Sequence, residues 1–303
     1  MSATEYYHQP SQIHAIEAYN AVLDDLVLVN RQWMRILGDL RGTHVLWRGT
    51  IEELEEQLDV TRIEVLCLRE DEYAEAESLS SSFNSLRTLV SLRQLSAIHC
   101  TRIERMTLVT ECVSDAIRLL RPSHRHVAIV AKRYDEISTG RVDGLAVNNV
   151  VSLSLWVDVG PISPECDDVL DGFTSLVRLH LSRPDRIAIL GHLSERNSRR
   201  LPRLRTLELD PYEAYIGFNK VYIPVSVTCL RLGPLADLWV SLHTLTELLA
   251  NLKPGSKLAT IHVQAKLAEQ KSVPTEDYEE LQDKCERRGI TIKYDWTRSS
   301  RTR

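Results

Sequence analysis

The side chains best suited to metal chemistry stand in one short segment. His124, Arg125 and His126 follow closely after Arg121. A metal ion would need further ligands beside the two histidines, and the neighbouring sequence offers none. The segment is better explained as a polar turn that leads into a strand at Val127.

A second candidate is the dipeptide His99-Cys100, which holds the residue types of a base and a nucleophile. Adjacent residues of a strand point to opposite faces of the sheet, so the imidazole cannot activate the thiol. We expect Cys100 to pack in a core. The six cysteines stand at 67, 100, 112, 166, 229 and 285. No pair has CxxC spacing, so no zinc or redox site is predicted.

A pair of carboxylates or a phosphate-binding loop could also support catalysis. Glu52-Glu53, Glu55-Glu56 and Glu70-Asp71-Glu72 have the spacing of solvated helix or loop faces rather than of an acid and base pair. No GxGxxG, GxxxxGK[ST], GxSxG or HExxH motif occurs. We therefore expect no catalytic residues, no cofactor and no metal: the chain is not predicted to be an enzyme.

Composition narrows the remaining functions. The 303 residues are 43% hydrophobic and 26% charged, with a formal net charge of −5. Such a chain can form a large core and has no basic surface that would favour nucleic acid. Residues 1–20 lack the apolar core of a signal peptide, and no apolar run could span a bilayer. The predicted location is the cytoplasm or the nucleus, without membrane or nucleic-acid binding.

The elements that would position any site follow a repeat. A frame of the form LxxLxL recurs nine times, as in Leu176-x-x-Leu179-x-Leu181 and Leu204-x-x-Leu207-x-Leu209. The fourth positions fall at 66, 95, 127, 153, 179, 207, 230, 261 and 292, at intervals of 23 to 32 residues. One strand and one helical return take up about 20–29 residues in leucine-rich repeats. The frame therefore predicts stacked strand-and-return units.

Two returns show helical spacing. An apolar stripe runs from Leu235 to Leu252 and ends at Pro254-Gly255. In the last return, Tyr278, Leu281 and Cys285 are expected to face inward, and Gly289 is expected to end the helix. A strand over residues 290–296 follows.

These observations predict an α/β fold: a leucine-rich-repeat solenoid of about nine irregular units with one curved parallel sheet. An ordinary α/β sandwich is the alternative, although its strands rarely carry the LxxLxL lead-in. The expected organisation is a helical segment at 1–48, the solenoid at 49–296 and a basic disordered tail at 297–303.

Residues 13–48 differ from the repeats because Leu23, Leu26, Val27 and Trp33 recur at helical spacing. The run Leu26-Val-Leu-Val-Asn-Arg-Gln-Trp33-Met-Arg-Ile36, followed by Leu46-Trp47, resembles the second half of an F-box; the opening Leu-Pro helix of that family is absent. The combination is similar to the divergent F-box/leucine-rich-repeat proteins of fungi. This resemblance implies docking on a Skp-type adaptor through Leu26, Val29, Trp33, Ile36, Leu46 and Trp47. Alternatively, these helices only cap the end of the solenoid.

Strand residues between the inward leucines would lie side by side on the concave face, which is the usual binding surface of such a solenoid. Their mixed charge and one tryptophan suit a protein partner. The predicted partner-binding residues are Trp156, Arg178, His180, Glu208, Asp210, Arg231, His262, Lys293 and Asp295.

Function is therefore predicted at two levels. The chain is expected to be a protein-interaction module, and the F-box resemblance implies that it recruits substrates to a Skp-cullin-F-box ubiquitin ligase. The alternative is a stand-alone scaffold that binds no ligase.

Overall fold

A computed structural model describes residues 42–69, 76–133, 147–159, 170, 172–182, 201–210, 223–233, 245–246, 248–266 and 275–297. By its contacts the chain divides into two compact units. Unit 1 comprises Met1–Glu111 and Asp115–Val130, and unit 2 comprises Cys112–Ser114 and Ala131–Arg303. The predicted helices at 13–41 lie outside the described residues.

Thirteen strands and three α-helices have described bounds. The strands are β1 His44–Trp47, β2 Val65–Leu68, β3 Glu77–Leu79, β4 Thr88–Ser91, β5 Leu95–Ile98, β6 Arg105–Cys112, β7 His126–Arg133, β8 Ser152–Val159, β9 Arg178–Ser182, β10 Thr206–Asp210, β11 Cys229–Leu232, β12 Thr260–Lys266 and β13 Thr291–Thr297. The helices are α1 Ile51–Gln57, α2 Val113–Arg118 and α3 Thr275–Glu286, and a 3₁₀ turn covers Val60–Arg62.

Eleven of the strands form one sheet in chain order, β1-β2-β4-β6-β7-β8-β9-β10-β11-β12-β13. The strand pairs whose register is described are parallel. This confirms the α/β class and places eight of the nine predicted frames in one mostly parallel sheet. The strands β3 and β5 form a separate two-stranded sheet.

The prediction that the frame at Leu95 belongs to the large sheet was wrong. Leu95 begins β5, which pairs with β3. The ladder position belongs instead to Leu89 of β4, which is in register with Leu66 on one side and Met106 on the other. Sequence reasoning missed both β4 and β6.

The sheet also begins earlier than predicted. His44–Trp47 is strand β1, and Val45 is in register with Leu66. Leu46 and Trp47 were expected to close a helical segment ending at residue 48, but they belong to the sheet.

The core is a set of aligned columns. Before and within β9, the side chains of Phe173, Leu176, Leu179 and Leu181 are all fully buried, at intervals of three, three and two residues. The same spacing is filled by Leu201, Leu204, Leu207 and Leu209. Alternate strand residues face this core, and the two earlier positions enter it from the preceding turn. The frame therefore extends one buried position further towards the N-terminus than the sequence pattern had shown.

Backbone hydrogen bonds repeat with the same period. The carbonyl of Val151 accepts from the N–H groups of Val177 and Arg178, and that of Val177 accepts from Arg205 and Thr206. In unit 1, Thr43 accepts in the same way from Glu64 and Val65. Each strand thus sets the start of the next one, and this holds the side-chain columns in register.

Helix α3 bears out its prediction. Leu281 and Cys285 are buried, and Gly289 has a left-handed φ of 68°. The N–H of Gly289 donates to the Glu286 carbonyl, and that of Ile290 donates to Cys285, which is a Schellman ending. The chain then enters β13 directly, one residue later than predicted.

Candidate functional site

The candidate site is the sheet face of β8–β13 that points away from the buried leucines, here called the polar face. Leu153, Leu179 and Leu207 are fully buried, whereas the described strand residues directly before and after each of them are partly or fully exposed. Because side chains alternate along a strand, all of these intervening residues lie on one side of the sheet.

Register places the predicted residues in one row. Ser154 is paired with His180, His180 with Glu208, and Glu208 with Arg231. Arg231 is paired with His262, and His262 with Lys293. We call this row, one residue from each of six strands, the central column. The preceding column, also in register, consists of Ser152, Arg178, Thr206, Cys229, Thr260 and Thr291.

The charges of the polar face are unevenly distributed. Arg178 Nη2 donates to Glu208 Oε2 at 2.5 Å across neighbouring strands. Arg231 and Lys293 are exposed, and among the described residues neither forms an ion pair. One part of the face thus holds an ion pair, and another part presents two exposed cations that are unpaired within the described ranges.

Trp156, expected to be an exposed aromatic, is partly buried. The backbone of Asp210 is in register with Ser182, and that of Asp295 is in register with Gln264. The side chains of both aspartates lie outside the described part of the structure.

The corresponding face of unit 1 has a different character. Cys67, Val90 and Leu92 are buried there, with Leu46, Val65 and Val109 packed against them. We call these six residues the apolar cluster. Register pairs Leu46 with Cys67 and Cys67 with Val90. Sequence reasoning missed this cluster, although Val65 and Cys67 on both sides of Leu66, and Val90 after Leu89, were a signal for it.

The six predicted adaptor-binding residues divide between these regions. Leu26, Val29, Trp33 and Ile36 lie outside the described residues. Leu46 belongs to the apolar cluster, and Trp47 Nε1 donates to the Thr50 carbonyl at 2.8 Å, beside the start of α1.

Cys100 is a core residue, as predicted. It is buried, and its thiol donates to the Ser80 carbonyl at 3.0 Å. Burial raises the pKa of the Cys100 thiol to about 12, with a small further contribution from the Glu55 charge. Since the thiolate is the nucleophile, Cys100 is unreactive near neutral pH.

His124 departs from the expected polar turn. The turn exists, because the N–H of His124 donates to the Arg121 carbonyl, but the imidazole is fully buried three residues before Val127. Its Nδ1 accepts from the N–H of Arg121 at 3.0 Å, and in the described part of the structure its Nε2 has no hydrogen-bond partner. Burial, and secondly the Arg121 charge, lower the pKa of His124 to about 4.

The pKa of His126 is also lowered, mainly by burial, although this side chain starts β7 and lies apart from the core position of His124. Within the described ranges, no group of three or more histidine, cysteine, aspartate or glutamate residues is arranged to hold a metal ion. His124 lies in the turn that follows Arg121, and His126 is the first residue of β7.

A buried ion pair in unit 1 was not foreseen. Arg93 is almost fully buried and approaches Glu77 Oε2 at 3.2 Å, while its Nη1 also donates to the Gly49 carbonyl at 2.8 Å. Glu77 Oε1 accepts from the N–H of Ile51 at 2.9 Å. These contacts join β3 to the start of α1, so the role of the pair is structural.

The described helices include none with the length and apolar character needed to cross a membrane. Comparison with protein-family models finds no match for the sequence, and none of the curated proteins matches it.

Proposed function

We propose that this chain is a leucine-rich-repeat solenoid that binds a protein partner through the polar face of β8–β13. The observation that carries the proposal is the central column, in which six neighbouring strands each contribute one side chain at the same register position. Neighbouring strands are about 4.8 Å apart, so the column forms a continuous row of roughly 24 Å. A row of that length suits a peptide or a protein surface better than a small molecule.

The chemistry of the face supports the same function. Its side chains include arginine, histidine, glutamate and a partly buried tryptophan, and they differ from strand to strand. Arginine and tryptophan carry much of the free energy of protein–protein contacts. A different side chain at each step along an evenly spaced row permits selection among partners.

Site-specific photo-cross-linking tests this function. A benzophenone amino acid is placed at Ser154 or Thr206 on the polar face, and at Arg203 or Lys257 in the exposed turns before β10 and β12. We expect the two polar-face positions to cross-link the same protein in extracts of the cells that produce the chain, and the two turn positions not to do so. Equal labelling from all four positions, or no adduct from the polar face, would contradict the proposal.

Recruitment to a ubiquitin ligase is the finer proposal and is supported by the Leu26–Ile36 motif. Leu46 and Trp47 fit the alternative of a stand-alone scaffold better than adaptor binding. Leu46 packs in the apolar cluster, and Trp47 donates a hydrogen bond to the Thr50 carbonyl at the start of α1.

A binding assay of the full chain with a purified Skp adaptor separates the two functions. We expect the adaptor to bind, and Trp33→Ala and Leu26→Ala to weaken that binding. Lys257→Ala, in a turn of unit 2, is the control. A chain that does not bind the adaptor would remove the ligase function and leave the scaffold.

A further inference from the structure

The central column changes charge along its length. Arg231, His262 and Lys293 occupy it on β11, β12 and β13, in register with one another. We call these three residues the basic end. On the preceding strand the column holds Glu208, which is occupied by its ion pair with Arg178.

Two side chains of the basic end are available for a ligand. Arg231 and Lys293 are exposed, and within the described part of the chain neither has an ion-pair partner. His262 lies between them and is partly buried. The chain as a whole carries a net charge of −5, which is opposite in sign to these two side chains. An anionic group is therefore the complementary ligand.

The spacing of the two cations limits the form of that ligand. Arg231 and Lys293 are two strands apart, which corresponds to about 9.6 Å at the backbone. A polyproline II peptide advances about 9.3 Å in three residues and returns each third side chain to the same side. An extended β-peptide places residues i and i+3 on opposite sides, so it matches this spacing less well.

We propose that the basic end binds an acidic peptide segment in a polyproline II conformation, with carboxylates at positions i and i+3 that contact Arg231 and Lys293. The peptide runs across the strands along the central column, and its residues i+1 and i+2 pass over His262. This assignment rests on the proposed protein-binding function and names the chemical class of the partner.

A nucleic acid fits the polar face less well than a peptide. A nucleic-acid backbone carries a charge at every nucleotide, and binding it needs many cations along one track. The basic end has two cations that form no ion pair with the described residues, and the next strand of the same column presents Glu208. A segment with two separated carboxylates matches this arrangement.

Peptide selection on the immobilised full chain tests the proposal. The library displays Xaa-Pro-Pro-Xaa segments with acidic, basic, amide or aliphatic residues at the two variable positions. Two double variants with the same change in net charge accompany the wild type: Arg231→Glu/Lys293→Glu on the polar face and Arg203→Glu/Lys257→Glu in the exposed turns. All four substituted side chains are exposed, and circular dichroism checks that each variant folds.

We expect the wild type and the turn variant to enrich acidic residues at both positions. The polar-face variant should lose at least about tenfold in affinity for the acidic peptide and enrich basic peptides instead. Moving the second carboxylate to i+1 should weaken binding to the wild type, because only one cation remains within reach.

The contrary results separate two kinds of failure. If peptides of other composition are selected and the polar-face variant binds them unchanged, the charge assignment falls while the proposed function stands. If an unstructured single-stranded oligonucleotide displaces the acidic peptide and binds more tightly than it, the ligand class is wrong. If neither peptides nor the cross-linked partner bind the polar face, the proposed function falls as well.

Discussion

The two units differ on the strand face opposite their buried frame leucines. In unit 1, the positions of Cys67 and Val90 are buried in the apolar cluster. In unit 2, the equivalent positions hold the central column, where Arg231 and Lys293 are exposed. On the other face both units bury frame positions, such as Leu66 and Leu68 in unit 1 and Leu179 and Leu181 in unit 2.

This difference separates the part of the repeat that makes the fold from the part that can vary. Burial of a valine or leucine side chain contributes about 1.5–3 kcal/mol to the free energy of unfolding. Unit 1 therefore gains stability from both faces of its strands: from the frame leucines on one face and from the apolar cluster on the other. Unit 2 obtains its core from one side and leaves the other side for binding. The LxxLxL frame reports the common core and contains no information about the second side.

The largest effect should come from placing a charge at equivalent positions of the two units. We expect Val90→Glu to reduce the free energy of unfolding by about 4 kcal/mol or more, because the carboxylate would be buried without a partner. Arg231→Glu, at the same position of the repeat frame in unit 2, should change it by less than about 1 kcal/mol, because the new carboxylate is exposed and is opposed only by Glu208 on the neighbouring strand. Chemical denaturation, with hydrogen exchange of the β4 and β11 amides, measures both. Equal destabilisation would erase the distinction between the two faces.

The ion pairs provide a second contrast. The side chains of Arg93 and Glu77 are 3% and 17% exposed, whereas those of Arg87 and Glu104, also in unit 1, are 56% and 52% exposed. Removal of one partner from a buried pair typically costs about 3–5 kcal/mol, against about 1 kcal/mol or less at the surface.

Glu77→Gln should therefore destabilise unit 1 by about 3 kcal/mol, since the amide can still accept from the Ile51 N–H but leaves the Arg93 charge uncompensated. Glu104→Gln is the matched control, with an expected change below about 0.5 kcal/mol. Denaturation midpoints at constant m-value provide the comparison. A Glu77→Gln protein as stable as the control would show that the buried pair contributes nothing net.

The sequence predicted most of the ladder because its strands repeat apolar residues at the buried positions. It failed around β4 and β6, where Ser91 takes the second inward position and Met106 the first, so the leucine frame is interrupted. The pattern at Leu95 was therefore assigned to the large sheet, although its strand pairs with β3. An additional buried column three residues before the lead-in position, filled by Phe83 and Cys100, would have revealed both strands.

The polar-face register was predictable for a related reason. Once Leu179 and Leu207 are aligned, alternation assigns His180 and Glu208 to one row. The apolar cluster and the Arg93–Glu77 pair were not predictable in this way. Both depend on which segments meet in space, and short-range periodicity does not encode that.

The buried histidine provides a third contrast, at the lead-in position. Leu176 and Leu204 fill it in unit 2, and His124 fills it before β7. The folded-state pKa of His124 is about 4, below its ordinary value of 6.5, so the unfolded chain binds the extra proton between these pH values. The associated stability is complete above about pH 6.5 and is lost as the pH falls towards 4, by roughly 3 kcal/mol in all.

His124→Leu should remove this loss and flatten stability between pH 6.5 and 4. His99→Gln, at an exposed position, should leave the pH dependence unchanged. The residual slope of the His124→Leu protein would include His126, whose pKa is lowered as well. An unaltered slope in His124→Leu would mean that other groups govern the acid sensitivity.

The smallest expected effect on stability concerns the ion pair of the polar face. Arg178 and Glu208 lie on neighbouring strands, with side chains 48% and 21% exposed. A double-mutant cycle with alanine should give a coupling of about 0.5 kcal/mol, because water screens the pair and ordering the side chains costs entropy. A coupling above about 2 kcal/mol would mean that this pair helps hold the sheet together, as the buried pair of unit 1 does. With the smaller value, Arg178 and Glu208 could break their ion pair at little cost and contact a protein partner instead. The polar face, which contributes least to the stability of the fold, would then be the face best able to bind.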